Sequence, residues 1–147
     1  MQQELMGGPY LAVALFCEKA LREADGVLSV IRIVDRWTVN GATEEMPLTV
    51  IQTNLVIIAK SGIHRGSSNI TVTPTSPSGE AIAPMGFPVL FEGDDDRGVG
   101  IVAGLGFPAK EPGVYWFEVL IDGQVSTRIP LRVIYHRAGP TAATGSH

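Results

Sequence analysis

Alternation with period two is the feature that most constrains this chain. Tyr115, Phe117, Val119 and Ile121 share one parity, and Asp122-Gly123 follows them. Val125, Thr127, Ile129, Leu131, Val133 and Tyr135 then repeat the pattern. Side chains of an extended strand point alternately to its two faces, so this spacing describes two half-buried strands. Asp-Gly is a strong hairpin signal between such strands. A tight two-residue loop pairs Ile121 with Gln124, and hence Phe117 with Arg128. That register sets the apolar parity of one strand beside the polar parity of its neighbour. A three-residue loop or a bulge in the second strand removes the conflict, and one of the two is predicted.

The same pattern, cut by turn residues, runs through the rest of the chain. Tyr10 to Cys17 is apolar on both parities and reads as a buried strand or the start of a buried helix; Glu18 to Glu23 reads as a short helical turn, and Asp25-Gly26 as a turn. Val27 to Val39 reads as one long strand with Val27, Ile31, Ile33 and Trp37 inward and Arg32, Arg36 and Thr38 outward. Asn40 to Pro47 is a polar loop. Leu48 to Lys60 follows, with Ile51, Leu55, Ile57 and Ala59 on the core parity. Ile70 and Val72 mark another strand, and Phe87, Val89 and Phe91 a short one that Pro88 assigns to an edge. Val99 to Phe107 alternates with Gly100, Gly104 and Gly106. Those glycines leave one face bare, as a bent strand or a closely approaching segment requires.

About eight strands at short spacing predict an all-β fold, an antiparallel β-sandwich of immunoglobulin-like form with at most one short helical turn. The 147 residues, 45% of them apolar, suit a single domain over 10–137. Residues 1–9 are expected to be a flexible N-terminus and 138–147 a disordered tail. Gly145-Ser146-His147 has the composition of a cloning remnant. The run Leu11 to Cys17 lacks the basic start and the cleavage site of a secretory signal, and no apolar run is long enough to span a bilayer. No membrane association is expected. A lone cysteine, Cys17, fits a reducing compartment, so a cytoplasmic location is expected.

Fifteen acidic residues against eleven basic ones give a net charge of −4. No Lys/Arg run is present, which disfavours nucleic acid as a partner. Glu92, Asp94, Asp95 and Asp96 form an acidic loop, the one metal candidate, because Ca²⁺ takes carboxylate oxygens. The plainer reading is a hairpin loop kept soluble by its charge. No zinc-type Cys/His set exists. No G-x-S-x-G occurs, and the Gly98–Gly104 glycines lack the helix of a dinucleotide site. A hydrolase would need His64 or His136 beside an acid in a cleft. Cys17 lies in an apolar run, as an inert buried thiol does. The expectation is a non-enzyme without cofactors.

The face opposite Tyr115 and Phe117 carries Val114, Trp116 and Leu120, with Arg128, Arg132 and His136 on the matching parity of the next strand. Arg32 and Arg36 are candidates to extend it. Trp and Arg dominate interface hot spots, so Val114, Trp116, Leu120, Arg128 and Arg132 are the candidate interface. The bland alternative is a Trp packed under a loop. The expected function is a non-enzymatic interaction or structural module that binds itself or a protein partner. The alternative is a small-molecule or carbohydrate-binding domain, Ca²⁺-dependent through the acidic loop, with Trp37 or Trp116 as stacking platform.

Tyr10 to Glu18, Asp25 to Ser29, Ile33-Val34-Asp35 and Pro112 to Gly123 together resemble a family of small bacterial proteins of unknown function. The similarity in order of elements covers most of residues 10–136. A Pro-Gly-x-Tyr strand before an Asp-Gly turn also recurs in immunoglobulin-like sandwiches. The resemblance implies a compact β-sandwich and supplies no catalytic residues.

Overall fold

The computed structural model describes residues 7–94 and 96–138. Of the expected flexible N-terminus, 1–9, and disordered tail, 138–147, residues 1–6 and 139–147 lie outside the described residues. Nine strands follow in order: β1 (Tyr10–Arg22), β2 (Leu28–Val34), β3 (Arg36–Gly41), β4 (Thr49–Lys60), β5 (Arg65–Thr75), β6 (Met85–Glu92), β7 (Gly98–Ala109), β8 (Gly113–Ile121) and β9 (Gln124–Arg137). They form a four-stranded sheet in the order β2-β1-β4-β7 and a five-stranded sheet in the order β3-β9-β8-β5-β6. Neighbours are antiparallel apart from the parallel pair β3–β9. The all-β sandwich expected from the alternation is the fold, with nine strands rather than eight.

The extra strand comes from Val27–Val39, which is two strands. Val34 pairs with Phe16 in the four-stranded sheet, and Arg36 pairs with Arg132 in the five-stranded one. A strand that passes from one layer to the opposite one presents its other face to the core. Trp37 and Val39 therefore face inward in β3, while Val30 and Val34 are partly buried in β2. The predicted inward residues Val27, Ile31 and Ile33 are instead 60%, 48% and 63% exposed. Arg32, at φ 57°, interrupts the extended backbone between the last two.

Glu18–Glu23 forms no helical turn. β1 stays extended to Arg22 and pairs with β2 through Lys19↔Ile31 and Ala20↔Val30. Six residues are too few to repay helix nucleation against a ladder of backbone hydrogen bonds. β1 parts from β4 after Cys17↔Asn54. At the parting, the Thr53 hydroxyl donates to the Cys17 carbonyl (3.2 Å) and the Asn54 amide donates to the Glu18 carbonyl (2.8 Å). The end of the β1–β2 hairpin reaches β7. There Arg22 Nη2 donates to the Gly100 carbonyl (3.1 Å), and Leu28 packs where a Gly100 side chain would stand. One bare glycine of β7 thus marks a close approach, as read from sequence. Gly104 has no such neighbour. Cys17 is fully buried, which pushes its thiol pKa up, away from reactivity.

β8 and β9 pair from Gly113↔Val133 to Ile121↔Gln124, so the loop holds only Asp122 and Gly123. Their φ values, 49° and 85°, are those of a type I′ turn. The register shifts between Val119↔Thr127 and Leu120↔Val125, leaving Ser126 as the extra residue. This is the second-strand bulge that the parity conflict demands. Thr127, Ile129, Leu131 and Val133 return to the inward parity. Val125, beyond the bulge, is 53% exposed and is no core residue.

β4 contributes Ile51, Leu55, Ile57 and Ala59 to the core, all fully buried. Ile70 and Val72 of β5 are buried against them, and β6 with Pro88 is an edge strand. Aromatic rings join the layers: Phe117 lies edge-on to Phe16 (4.8 Å between centroids) and to Phe107 (5.4 Å). Tyr115, at the start of β8, donates its buried hydroxyl to the Glu111 carbonyl at 2.7 Å. That is the tyrosine corner of immunoglobulin-like sandwiches.

Candidate functional site

Strand alternation in β8 that buries Tyr115, Phe117 and Val119 turns Val114, Trp116, Glu118 and Leu120 outward. Pairing with β9 places Arg132 opposite Val114, Pro130 opposite Trp116, Arg128 opposite Glu118 and Val125 opposite Leu120. The five predicted interface residues thus share the outer face of the five-stranded sheet. Trp116 is 37% exposed, and Val114 and Leu120 are half-buried. The Arg128 guanidinium lies 4.6 Å from the centroid of the Trp116 ring, a cation–π arrangement. Glu118 pairs with the same Arg128 at 3.9 Å. On β5, Thr71, Thr73 and Thr75 continue the face beside Leu120, Glu118 and Trp116. Arg36 joins it through its pairing with Arg132, and His136 through Asn40. Arg32 does not, because β2 belongs to the other sheet.

A second feature was invisible in sequence. Where β1 parts from β4, a cleft of about 650 Å³ opens. Glu18, Arg32, Arg36, Trp37, Gln52 and Asn54 are among the residues lining it, and Gly104 and Gly106 flank them. Glu18 pairs with Arg32 at 3.1 Å, and Asp35 with Arg36 at 2.9 Å, so the charges of the rim cancel. Polar parity flags Arg32 and Arg36. Only the sheet switch brings them beside Gln52 and Asn54.

The acidic loop turns inward on itself. Glu92 and Asp94 both pair with Arg97, at 3.4 Å each. The Asp94 carbonyl accepts from the Ser61 hydroxyl (2.6 Å), and the Asp96 carbonyl from Lys60 Nζ (3.0 Å). Asp95 lies outside the described residues. Among the described residues no three His, Cys, Asp or Glu side chains are grouped to hold a metal. The loop also sits far from the Trp37 cleft. Lys60 and Thr53, beside the loop and the cleft respectively, are seven residues apart on β4, about 23 Å along a strand. A joint site of acidic loop and Trp37 is therefore not formed.

His64 meets a serine and an acid. Ser68 Oγ lies 3.1 Å from His64 Nε2, and its hydroxyl helps hold the Asp122 carboxyl below the ordinary carboxylate range. Asp122 Oδ1 accepts from the Asn69 N–H at 2.8 Å. Nucleophilic serines have the histidine between serine and acid. Here the serine stands between the other two and is only 3% exposed. The group ties the β4–β5 turn to the β8–β9 turn instead of poising a nucleophile. His136 is exposed at the end of β9, and His147 lies outside the described residues.

Two layers, a tyrosine corner and a tight final hairpin define an immunoglobulin-like β-sandwich. The chain belongs to the family of unknown function DUF6941, whose model matches residues 12–134. No curated protein matches the chain. Among solved structures, the chain is similar to a CARDB domain from Pyrococcus furiosus, crystallised with di-metal ions. The identity is 10% and the TM-score 0.41, over 86% of this chain and 96% of that one. An immunoglobulin-like protein from Pseudomonas aeruginosa aligns at 11% identity and TM-score 0.41, over 87% of this chain and 98% of that one. An alkylpurine DNA glycosylase from Pseudomonas fluorescens, bound to DNA with an abasic site analog, aligns at 13% and 0.36, over 69% and 28%.

Proposed function

We propose that this protein is a non-enzymatic interaction module whose contact surface is the outer face of the five-stranded sheet, with Trp116 as its anchor. The observation that carries the reading is Arg128 set over the Trp116 ring and paired with Glu118 on an open sheet face. Two residue types enriched at hot spots are held there in place before any partner arrives, so little ordering entropy is lost on binding. The partner is another protein or a second copy; the net charge of −4 argues against nucleic acid. One buried cysteine suits the cytoplasm.

The test compares immobilised wild type with Trp116→Ala and Arg128→Ala in native-host lysate, after near-ultraviolet circular dichroism has shown the variants folded. Proteins retained by the wild type should be lost on Trp116→Ala and reduced on Arg128→Ala. Equal retention on all three would move the contact surface elsewhere.

The cleft beside Trp37 favours a second reading, a site for a neutral polyhydroxylated ligand such as a saccharide. An indole wall, two amides and cancelled rim charges suit such a ligand better than an ion. A melting midpoint raised by a saccharide in wild type and in Trp116→Ala alike, without Ca²⁺, favours this reading over the first.

A further inference from the structure

Four strands end the two sheets: β2 and β7 in one, β3 and β6 in the other. A free edge displays unpaired N–H and C=O groups and invites another strand, so folded proteins guard their edges. Three of the four are guarded here. β2 has seven residues and is broken at Arg32, whose φ is 57°. β6 has eight residues, with Pro88 in the middle. β3 has only six and begins at Arg36.

β7 is different. It runs twelve residues, about 40 Å at the usual rise per residue. It carries no charged side chain, and its proline, Pro108, comes one residue before the end. Its ladder to β4 is unbroken from Lys60↔Gly98 to Thr49↔Ala109, so no bulge twists it away. Here the chain passes directly from β6 in the other layer to β7. Among the described residues, the one side-chain hydrogen bond to β7 is that of Arg22 to the Gly100 carbonyl.

We propose that the β7 edge is a homodimer interface, pairing antiparallel with β7 of a second copy to join two four-stranded sheets into one of eight strands. The occupant follows from the strand itself. A row of backbone donors and acceptors is complemented by another strand edge, and this chain carries one that is long and unguarded. Antiparallel pairing about a two-fold axis makes β7 its own partner. Without charges it opposes no like charges to itself. Registers centred at Ala103 or Gly104 set the core-side residues Val99, Ile101, Ala103, Leu105 and Phe107 against residues of the same face. On the outer side they set Val102, Gly104 and Gly106 together, where Gly104 has open space for the copies to approach, while Gly100 is covered by Leu28 and Arg22 of its own chain. Centres at Ala103 or Gly104 pair nearly the whole strand. This interface lies in the layer opposite Trp116 and stands independently of the reading proposed for that face.

The experiment is sedimentation velocity on the full chain from micromolar to hundreds of micromolar. The expected mass is twice the 15.7 kDa of the monomer. Val102→Lys/Gly104→Lys places lysine opposite lysine in both registers, on exposed positions where Gly104 has open space. It should sediment as a monomer, while Trp116→Ala stays dimeric. Wild type that remains monomeric throughout overturns the proposal. So does a dimer that survives the double lysine variant, or one lost with Trp116→Ala alone. Hydrogen exchange on the wild type gives an answer even if the lysine variant misfolds. Amide protection over 98–109 should rise with protein concentration, and protection that does not change overturns the interface.

Discussion

At the scale of single residues, Asp122 connects most of what the chain does locally. Its φ of 49° helps make the two-residue turn, and its N–H donates to the Asn69 carbonyl. The Asn69 N–H, and then the Ser68 hydroxyl, hold its carboxyl below the ordinary carboxylate range. A lowered folded-state pKa means that the ionised group stabilises the fold above the unfolded-state pKa. That stabilisation is lost as pH falls through the lowered value. Asp122→Asn should therefore be less stable than wild type at pH 7, and the gap should narrow as pH falls below 4. Melting midpoints from pH 7 to pH 3 read this directly; parallel curves would show that the carboxylate does not contribute. The effect is modest because the side chain is largely exposed. Asp-Gly is legible in sequence as a turn. That the carboxylate reaches Ser68 and Asn69, more than fifty residues away, is not legible, because only the docking of β5 on β8 creates that contact.

At the scale of elements, parity succeeds where a strand stays in one layer and fails where it changes layers. β4 and β8 read correctly because each has a single buried face throughout. Val27–Val39 misleads because its alternation is continuous while the core moves to the other side at Asp35. The β8–β9 bulge is the opposite case: two parities that cannot coexist in a regular hairpin reveal a residue too many. Deleting Ser126 should accordingly be tolerated, since it leaves Leu120 opposite Val125 and Val119 opposite Thr127 in a regular ladder. The variant should melt cooperatively within a few degrees of wild type. A deletion that abolishes the folded spectrum would mean that the bulge itself, with the twist it adds, is required.

At the scale of the whole molecule, stability resides in the contact between layers. The ion pairs are all well exposed and contribute about 0–1 kcal/mol each. Phe117, fully buried between Phe16 and Phe107, is the centre of the aromatic contact. Phe117→Ala should cost about 3–5 kcal/mol in unfolding free energy, measured by urea titration. A loss under 1 kcal/mol would place the core elsewhere. The candidate surfaces divide in the same way. Trp116 with Arg128 and Leu120 was legible because neighbouring strands of a hairpin share a face. The Trp37 cleft and the β7 edge were not, since each depends on which strands end up without neighbours.

Alternation, turn dipeptides and glycine placement determined by themselves that this chain forms a two-layer β-sandwich. They also determined which face of β4, β5 and β8 is buried and that the last hairpin carries a bulge. These are local consequences of a two-residue repeat. Strand order, the passage of β2 into β3, the parting of β1 from β4 and the unguarded edge of β7 were decided only in the tertiary structure. Hydrogen-bond ladders form between strands far apart in sequence, and no periodicity within a strand specifies its neighbour.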